Sequence, residues 1–173
     1  MPEQNRFPKR KDIRLTGWNY SNPYSYFITI CTMPRRKLFW DNDREYRLSP
    51  AGAIVDQHIR EIPNYYALVR VDKYVIMPDH VHMILTIRSN DYGENYREPN
   101  IPTIVNHFKG AVTKAMGQKI WQSRYYDTVI RNDKTYDSVW EYIEYNPKKY
   151  THASEYTAKY PHGYRSVGAV RNL

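Results

Sequence analysis

Residues 74–77 and 80–87 form two runs of strand-forming side chains separated only by Pro78 and Asp79. A proline and an aspartate between two such runs make a tight turn, so the segments are predicted as adjacent antiparallel strands. A hairpin is not stable alone and needs other elements packed against its apolar side. The segment Tyr24–Thr32 alternates and is rich in strand formers, and Met33-Pro34 ends it. Ser49 ahead of Pro50 marks a helix start. Ala53, Ile54, His58 and Ile59 then follow at helical spacing, and Pro63 is expected to close that helix. Residues 67–71 are strand formers that lead into the 74–77 run ahead of the turn, and 89–100 read as a polar loop. A second helix is predicted from Pro102 to Met116, with Gly117 as its stop. A strand is predicted over Tyr125–Ile130, and a third helix over Thr135–Tyr145 ended by Asn146-Pro147.

The predicted order is strand, helix, strand, strand, helix, strand, helix. That order gives an α+β fold, a ferredoxin-like sandwich whose antiparallel sheet carries helices packed on one face. The expected division is a basic arm over residues 1–23, one domain over 24–150 and a basic extension over 151–173.

Charge narrows the function. Lys and Arg number 26 against 18 acids, a net charge of +8, which favours a polyanionic partner. The 18 tyrosines turn that preference toward nucleic acid, because aromatic faces stack on unpaired bases. The single cysteine, Cys31, excludes an intrachain disulfide and a four-sulfur metal site. No apolar run reaches the roughly 18 residues of a membrane span. The N-terminus has no signal-peptide pattern, so a cytoplasmic protein without membrane attachment is expected.

His80 and His82 are two apart on a predicted strand and point to one face, close enough to share an ion. A pair of polar side chains on a half-exposed strand would look the same. On the third helix, Tyr136, Val139, Trp140 and Ile143 form the buried stripe. Tyr142 and Asn146 lie within about 40° of each other on one flank of it, whereas Tyr145 faces nearly opposite. An amide oxygen at Asn146 suits a hard divalent ion, and Tyr142 one turn earlier could bring its hydroxyl to a phosphate on that ion. The plainer alternatives are a packed tyrosine and a helix-capping asparagine.

The stretch Tyr74-Val75-Ile76-Met77-Pro78-Asp79-His80-Val81-His82-Met83-Ile84 resembles the core motif of the HUH single-tyrosine transposases. Tyr142-Ile143-Glu144-Tyr145-Asn146-Pro147 resembles the nucleophile helix of their REP-associated branch. Tyr26-Phe27-Ile28-Thr29, and Trp121-Gln122 with Arg124-Tyr125-Tyr126-Asp127, are also similar to segments of that branch. The likeness covers residues 24–150 in the family's order.

The resemblance implies roles. His80 and His82 match the metal ligands, Asn146 the remaining protein ligand and Tyr142 the nucleophile, with Tyr145 its rival. It implies a divalent metal, Mg²⁺ or Mn²⁺, and cleavage and rejoining of single-stranded DNA through a 5′-phosphotyrosine, at hairpin-containing sites. Arg35, Arg36, Lys37, Lys109, Arg124, Arg131, Lys148 and Lys149 are the candidate backbone contacts. The wider family forms dimers and the branch resembles monomers, so either state fits. Two alternatives share these residues. One is a replication initiator or relaxase acting as a nickase, disfavoured by the short chain. The other is a non-catalytic hairpin-binding descendant, disfavoured by the intact set of four site residues.

Overall fold

The computed structural model describes residues 15–41, 46–89 and 99–152. The basic run Lys9-Arg10-Lys11, most of the polar loop 89–100 and the chain after His152 lie outside them. Seven elements follow in order: β1 (Ser25–Cys31), α1 (Pro50–Tyr65), β2 (Val69–Met77), β3 (His80–Ile87), α2 (Ile101–Met116), β4 (Tyr126–Ile130) and α3 (Asp133–Thr151). The four strands form one sheet in the order β2-β3-β1-β4, with every pairing antiparallel. This is the α+β, ferredoxin-like arrangement the sequence predicts.

Local chemistry fixes the helix starts. Ser49, Asn100 and Asn132 each accept a hydrogen bond from the backbone N–H three residues on, capping α1, α2 and α3. Gly117 ends α2 in the left-handed region at φ 64°, which a residue with a side chain adopts only at a cost.

Residues directly opposite in the sheet share a face. Thr29 and Val75 both lie opposite His82, so His80, His82, Ile84 and Thr86 share one face with Phe27, Thr29, Cys31 and Val75. The other face carries Tyr26, Ile28, Ile30, Tyr74, Val81, Met83 and Leu85, and most of these are fully buried. On that second face Tyr74 donates to Asp56 of α1 at 2.6 Å, and α1 packs against both β2 and α2. The two helices of the ferredoxin-like core therefore do share one face. The third helix departs from expectation: α3 covers the opposite face, the one that carries the histidines.

A buried acid anchors α3. The β2–β3 register shifts between Val71 and Lys73, so the strand formers of 67–71 and 74–77 belong to one bulged strand. Asp72 sits at the bulge with its side chain 3% exposed. It accepts from Thr86 at 2.6 Å and from Tyr136 of α3 at 2.9 Å, and it pairs with Arg70. Burial alone would raise the Asp72 pKa, but the hydrogen bonds from Arg70, Thr86 and Tyr136 outweigh it and hold the carboxyl below its usual range. Burial, then donation to Asp72, pushes the Tyr136 phenol up to about 12.

Helix α3 also runs past its expected end to Thr151, with Pro147 inside it. The proline removes one backbone donor. Tyr150 beyond it packs edge-on against Trp40 at 5.4 Å between ring centroids, so tertiary contact carries the helix through the break. In α1, Pro63 likewise lies within the helix instead of closing it.

Two tethers hold the ends of the sheet. Part of the expected N-terminal arm joins the core: Tyr20 is 6% exposed and donates to Asp127 at 2.6 Å. At the other end, Lys109 of α2 donates to the carbonyls of Gln122 at 2.7 Å and Ser123 at 3.1 Å. Gln122 in turn bonds the carbonyls of Cys31 and Thr32, where β1 ends. Among the described residues no helix is long and apolar enough to cross a membrane.

Two outcomes are expected. The folded Asp72 pKa is depressed, so its contribution is full above about pH 4 and is lost as pH falls through the folded value. Urea denaturation of Asp72→Asn should show a loss of roughly 1–3 kcal/mol at pH 7 that shrinks toward pH 3; an equal gap at both pH values contradicts the anchor. Lys109→Met should lower stability by about 1–2 kcal/mol while leaving the salt dependence of single-stranded DNA binding unchanged. A shallower salt slope would show that Lys109 meets phosphate.

Candidate active site

The histidine pair lies where β3 begins. The turn before it is held by the loop after β1: Thr32 N–H donates to the Asp79 carbonyl at 2.9 Å, and Leu38 and Phe39 N–H donate to the Pro78 carbonyl at 2.8 and 3.1 Å. His82 is 5% exposed. Its ring stacks on Phe27 at 5.3 Å between centroids. Tyr142 meets Phe27 edge-on at 5.9 Å and His82 at 5.2 Å, so one aromatic cluster links sheet and helix.

Both imidazoles are gripped at Nδ1. His82 Nδ1 lies 2.8 Å from the Thr29 hydroxyl, and His80 Nδ1 lies 2.5 Å from Asp79 Oδ1. The two Nε2 atoms are then turned toward each other, 3.0 Å apart, and Tyr142 Oη lies 3.4 Å from His82 Nε2. Burial, then the charges of His80 and Arg35, push the His82 pKa well below the usual imidazole value. The ring is therefore neutral at physiological pH and keeps a lone pair for a cation.

Arg35 buttresses the outer side. Its guanidinium lies 3.3 Å from Asp79 Oδ2 and donates to Cys31 Sγ at 2.8 Å. Its backbone is in the left-handed region at φ 67°, a strained conformation for an arginine and one found often at functional sites. Burial tends to raise the Asp79 pKa, but the His80 hydrogen bond and the His80 and Arg35 charges hold it below the usual carboxylate range. Burial raises the Cys31 thiol despite Arg35 nearby, which keeps it protonated.

Asn146 lies one turn beyond Tyr142 in mid-helix, so it is not a cap. Its side-chain Nδ2 is buried with no hydrogen-bond partner among the described residues. A buried amide in that condition calls for a ligand or a reorientation, and turning it over presents oxygen where nitrogen stood. Tyr145 is 45% exposed, and Lys148 stands 5.7 Å over its ring.

These residues fit a divalent cation. Two ligands at right angles, each about 2.1 Å from one ion, are about 3.0 Å apart, which matches the Nε2 separation. Partners on Nδ1 are what such ligands need for their orientation. Among the described residues no group of three or more His, Cys, Asp or Glu is placed to hold a metal. Among these residues a third protein ligand would be of another type, such as an amide.

The candidate cations are scattered. Arg35 belongs to the site; Arg36 and Lys37 follow it, both exposed, with Lys37 5.7 Å over the Tyr150 ring. Lys148 and Lys149 are exposed in the last turn of α3. Arg124 is exposed, and Arg131 stands 5.0 Å over Trp18. Lys109 donates within the protein. Sequence reasoning missed Phe27 and Thr29, which only the β1–β3 register brings to His82. It also missed Asp79 as a histidine partner, although adjacency to His80 was a signal.

Comparison with known proteins identifies the family of the chain. A family profile described as transposase IS200-like matches residues 20–146. An uncharacterized protein of Haemophilus influenzae is 33% identical over 158 residues, covering 80% of this chain and 88% of that one. The REP-associated tyrosine transposase of Escherichia coli K12 is 34% identical over 83 residues, 46% of this chain and 45% of that one. A solved REP-associated tyrosine transposase bound to a REP hairpin shares the fold, with a TM-score of 0.55, 23% identity and coverage of 86% of this chain and 74% of that chain. The expected resemblance to REP-associated tyrosine transposases is met, and the chain belongs to the IS200-like transposases, a family of DNA-cleaving enzymes of recombination.

Proposed function

We propose that this chain cleaves and rejoins single-stranded DNA with Tyr142 as nucleophile, at sites that contain a hairpin. The observation that carries the reading is the convergence of Tyr142 Oη, His80 Nε2 and His82 Nε2 at one place on the sheet. His80, His82 and the Asn146 amide would hold Mg²⁺ or Mn²⁺. When bound, such an ion offsets negative charge on a phosphate oxygen.

The protein's own groups do the rest. Tyr142 presents its phenol oxygen to phosphorus, loses its proton to water, and forms a phosphotyrosine with the new 5′ end of the DNA. The departing 3′ oxygen takes up a proton as the P–O bond breaks. A second strand's 3′ hydroxyl reverses the step, and the phosphotyrosine bond retains the energy needed. Phe27 and the Asp72–Tyr136 contact hold α3 so that Tyr142, not the exposed Tyr145, faces the histidines.

Strand binding would fall to exposed cations and aromatic faces. Arg35, Arg36, Lys37, Lys148 and Lys149 flank the site or end its helix. Lys73 lies 4.7 Å over Trp140 on the same helix. Cations beside exposed rings suit phosphate tracking with base stacking. The similar protein bound to a REP hairpin supports a hairpin as the DNA element.

The test mixes protein, Mg²⁺ or Mn²⁺ and a labelled hairpin-bearing single strand. A denaturant-resistant protein–DNA adduct is expected, lost at least 100-fold in Tyr142→Phe and kept in Tyr145→Phe. The reverse pattern would overturn the assignment of the nucleophile, and no adduct under any condition would leave a binding protein only.

A further inference from the structure

Val75, His82, Thr29 and Tyr126 stand in one row across the sheet, each directly opposite the next. Opposite residues share a face, so Tyr126 lies on the face that carries the histidines and receives Tyr142. Its neighbour agrees with that direction. Asp127 pairs with Ile28 of the other face and accepts there from Tyr20, whose ring meets Tyr26 at 5.9 Å. Adjacent strands are about 4.8 Å apart, so two steps put the Tyr126 backbone about 10 Å from that of His82. Tyr126 opens β4, which is an edge strand.

A single exposed tyrosine needs no explanation by itself; this one differs in its surroundings. Among the described residues six tyrosine or tryptophan rings are exposed, and five of them have a neighbour. Tyr24 meets Trp18, Tyr46 meets Trp40, Tyr65 meets His107, and lysines stand over Trp140 and Tyr145. Among the same residues the Tyr126 ring, 54% exposed, has no ring or cation against it, and its hydroxyl makes no hydrogen bond. Cations lie close by in the fold. The bridge between Thr32 and Trp121 brings the loop after β1 to the segment ahead of β4. The exposed Arg36 and Arg124 therefore belong to the same end of the sheet.

We propose that Tyr126 is a base-stacking residue of the active site, and that an unpaired nucleobase flanking the scissile phosphate lies on its ring. A bare aromatic face beside cations is what an unpaired base needs: the ring takes the base and the cations take the phosphates. Stacking of this kind tolerates any base, so Tyr126 holds the strand in place without reading its sequence. The inference rests on the reading that Tyr142 and the histidines cleave single-stranded DNA.

The test uses the full chain and the hairpin-bearing single strand in Mg²⁺, with the cleaved position mapped from the wild-type adduct. Affinity is measured without cleavage in Tyr142→Phe, alone and combined with Tyr126→Ala, Tyr126→Leu or Tyr126→Phe. The strand is intact or carries one abasic residue at each position beside the cleaved phosphate. Tyr126→Ala and Tyr126→Leu should weaken binding of the intact strand about 5–150-fold, the worth of one stacked base, and Tyr126→Phe should stay within about threefold. One abasic position should cost the parent a similar factor and cost the Tyr126→Ala variant less than about threefold, because the two changes remove one contact. Intact-strand affinity unchanged by Tyr126→Ala, or abasic losses equal with and without the ring, overturns the proposal while leaving the cleavage reading in place. A loss in Tyr126→Ala that Tyr126→Phe does not restore also overturns it. A wild type that forms no adduct, or an adduct kept in Tyr142→Phe, sinks the cleavage reading and this inference with it.

Discussion

The pairing register between β1 and β3 is the constraint on which the site depends. It sets Thr29 opposite His82 and Cys31 opposite His80, and so aims both imidazoles at the face that α3 covers. Side chains alternate along a strand, so a slip of one residue would turn the histidines toward α1 and α2 and leave Tyr142 facing valine and methionine. Fully buried Ile28, Ile30, Val81 and Met83 on the opposite face make such a slip expensive, because it would exchange them for polar side chains. The apolar core thus fixes the direction of the polar site.

The second requirement is the seat of α3. Few apolar side chains hold it: among its described residues only Val139 and Ile143 are buried. Polar contacts make up for this. Asp72 projects from the β2 bulge to Tyr136, and Lys73 beside it pairs with Glu144 and covers Trp140. A helix held by a narrow stripe and a few charged contacts can keep a tyrosine flank at the edge of the interface, where a strand of DNA can reach it. A fully apolar seat would have buried that flank.

Much of this was legible in the sequence because its periodicities are local. The run of strand formers over residues 80–87 after the Pro78-Asp79 turn gave the strand and the shared face of His80 and His82. The helical stripe of residues 136–143 separated Tyr142 from Tyr145. What was illegible was tertiary. Nothing local says which face of the sheet receives the third helix. Pro147 reads as a stop, and only Tyr150 packing on Trp40 explains why the helix continues. The bulge at Asp72 reads as a gap in a run of strand formers until Thr86 and Tyr136 are seen to bond it. Lys109 reads as one more surface cation until its carbonyl partners are known.

The most direct measurement is an anomalous difference map from crystals of this protein grown with Mn²⁺. The account predicts one strong peak in contact with His80 Nε2 and His82 Nε2, with the Asn146 amide oxygen turned toward it and Tyr142 Oη on its open side. A map with no peak between the histidines, or with Tyr142 swung away from them and Tyr145 in its place, would contradict it.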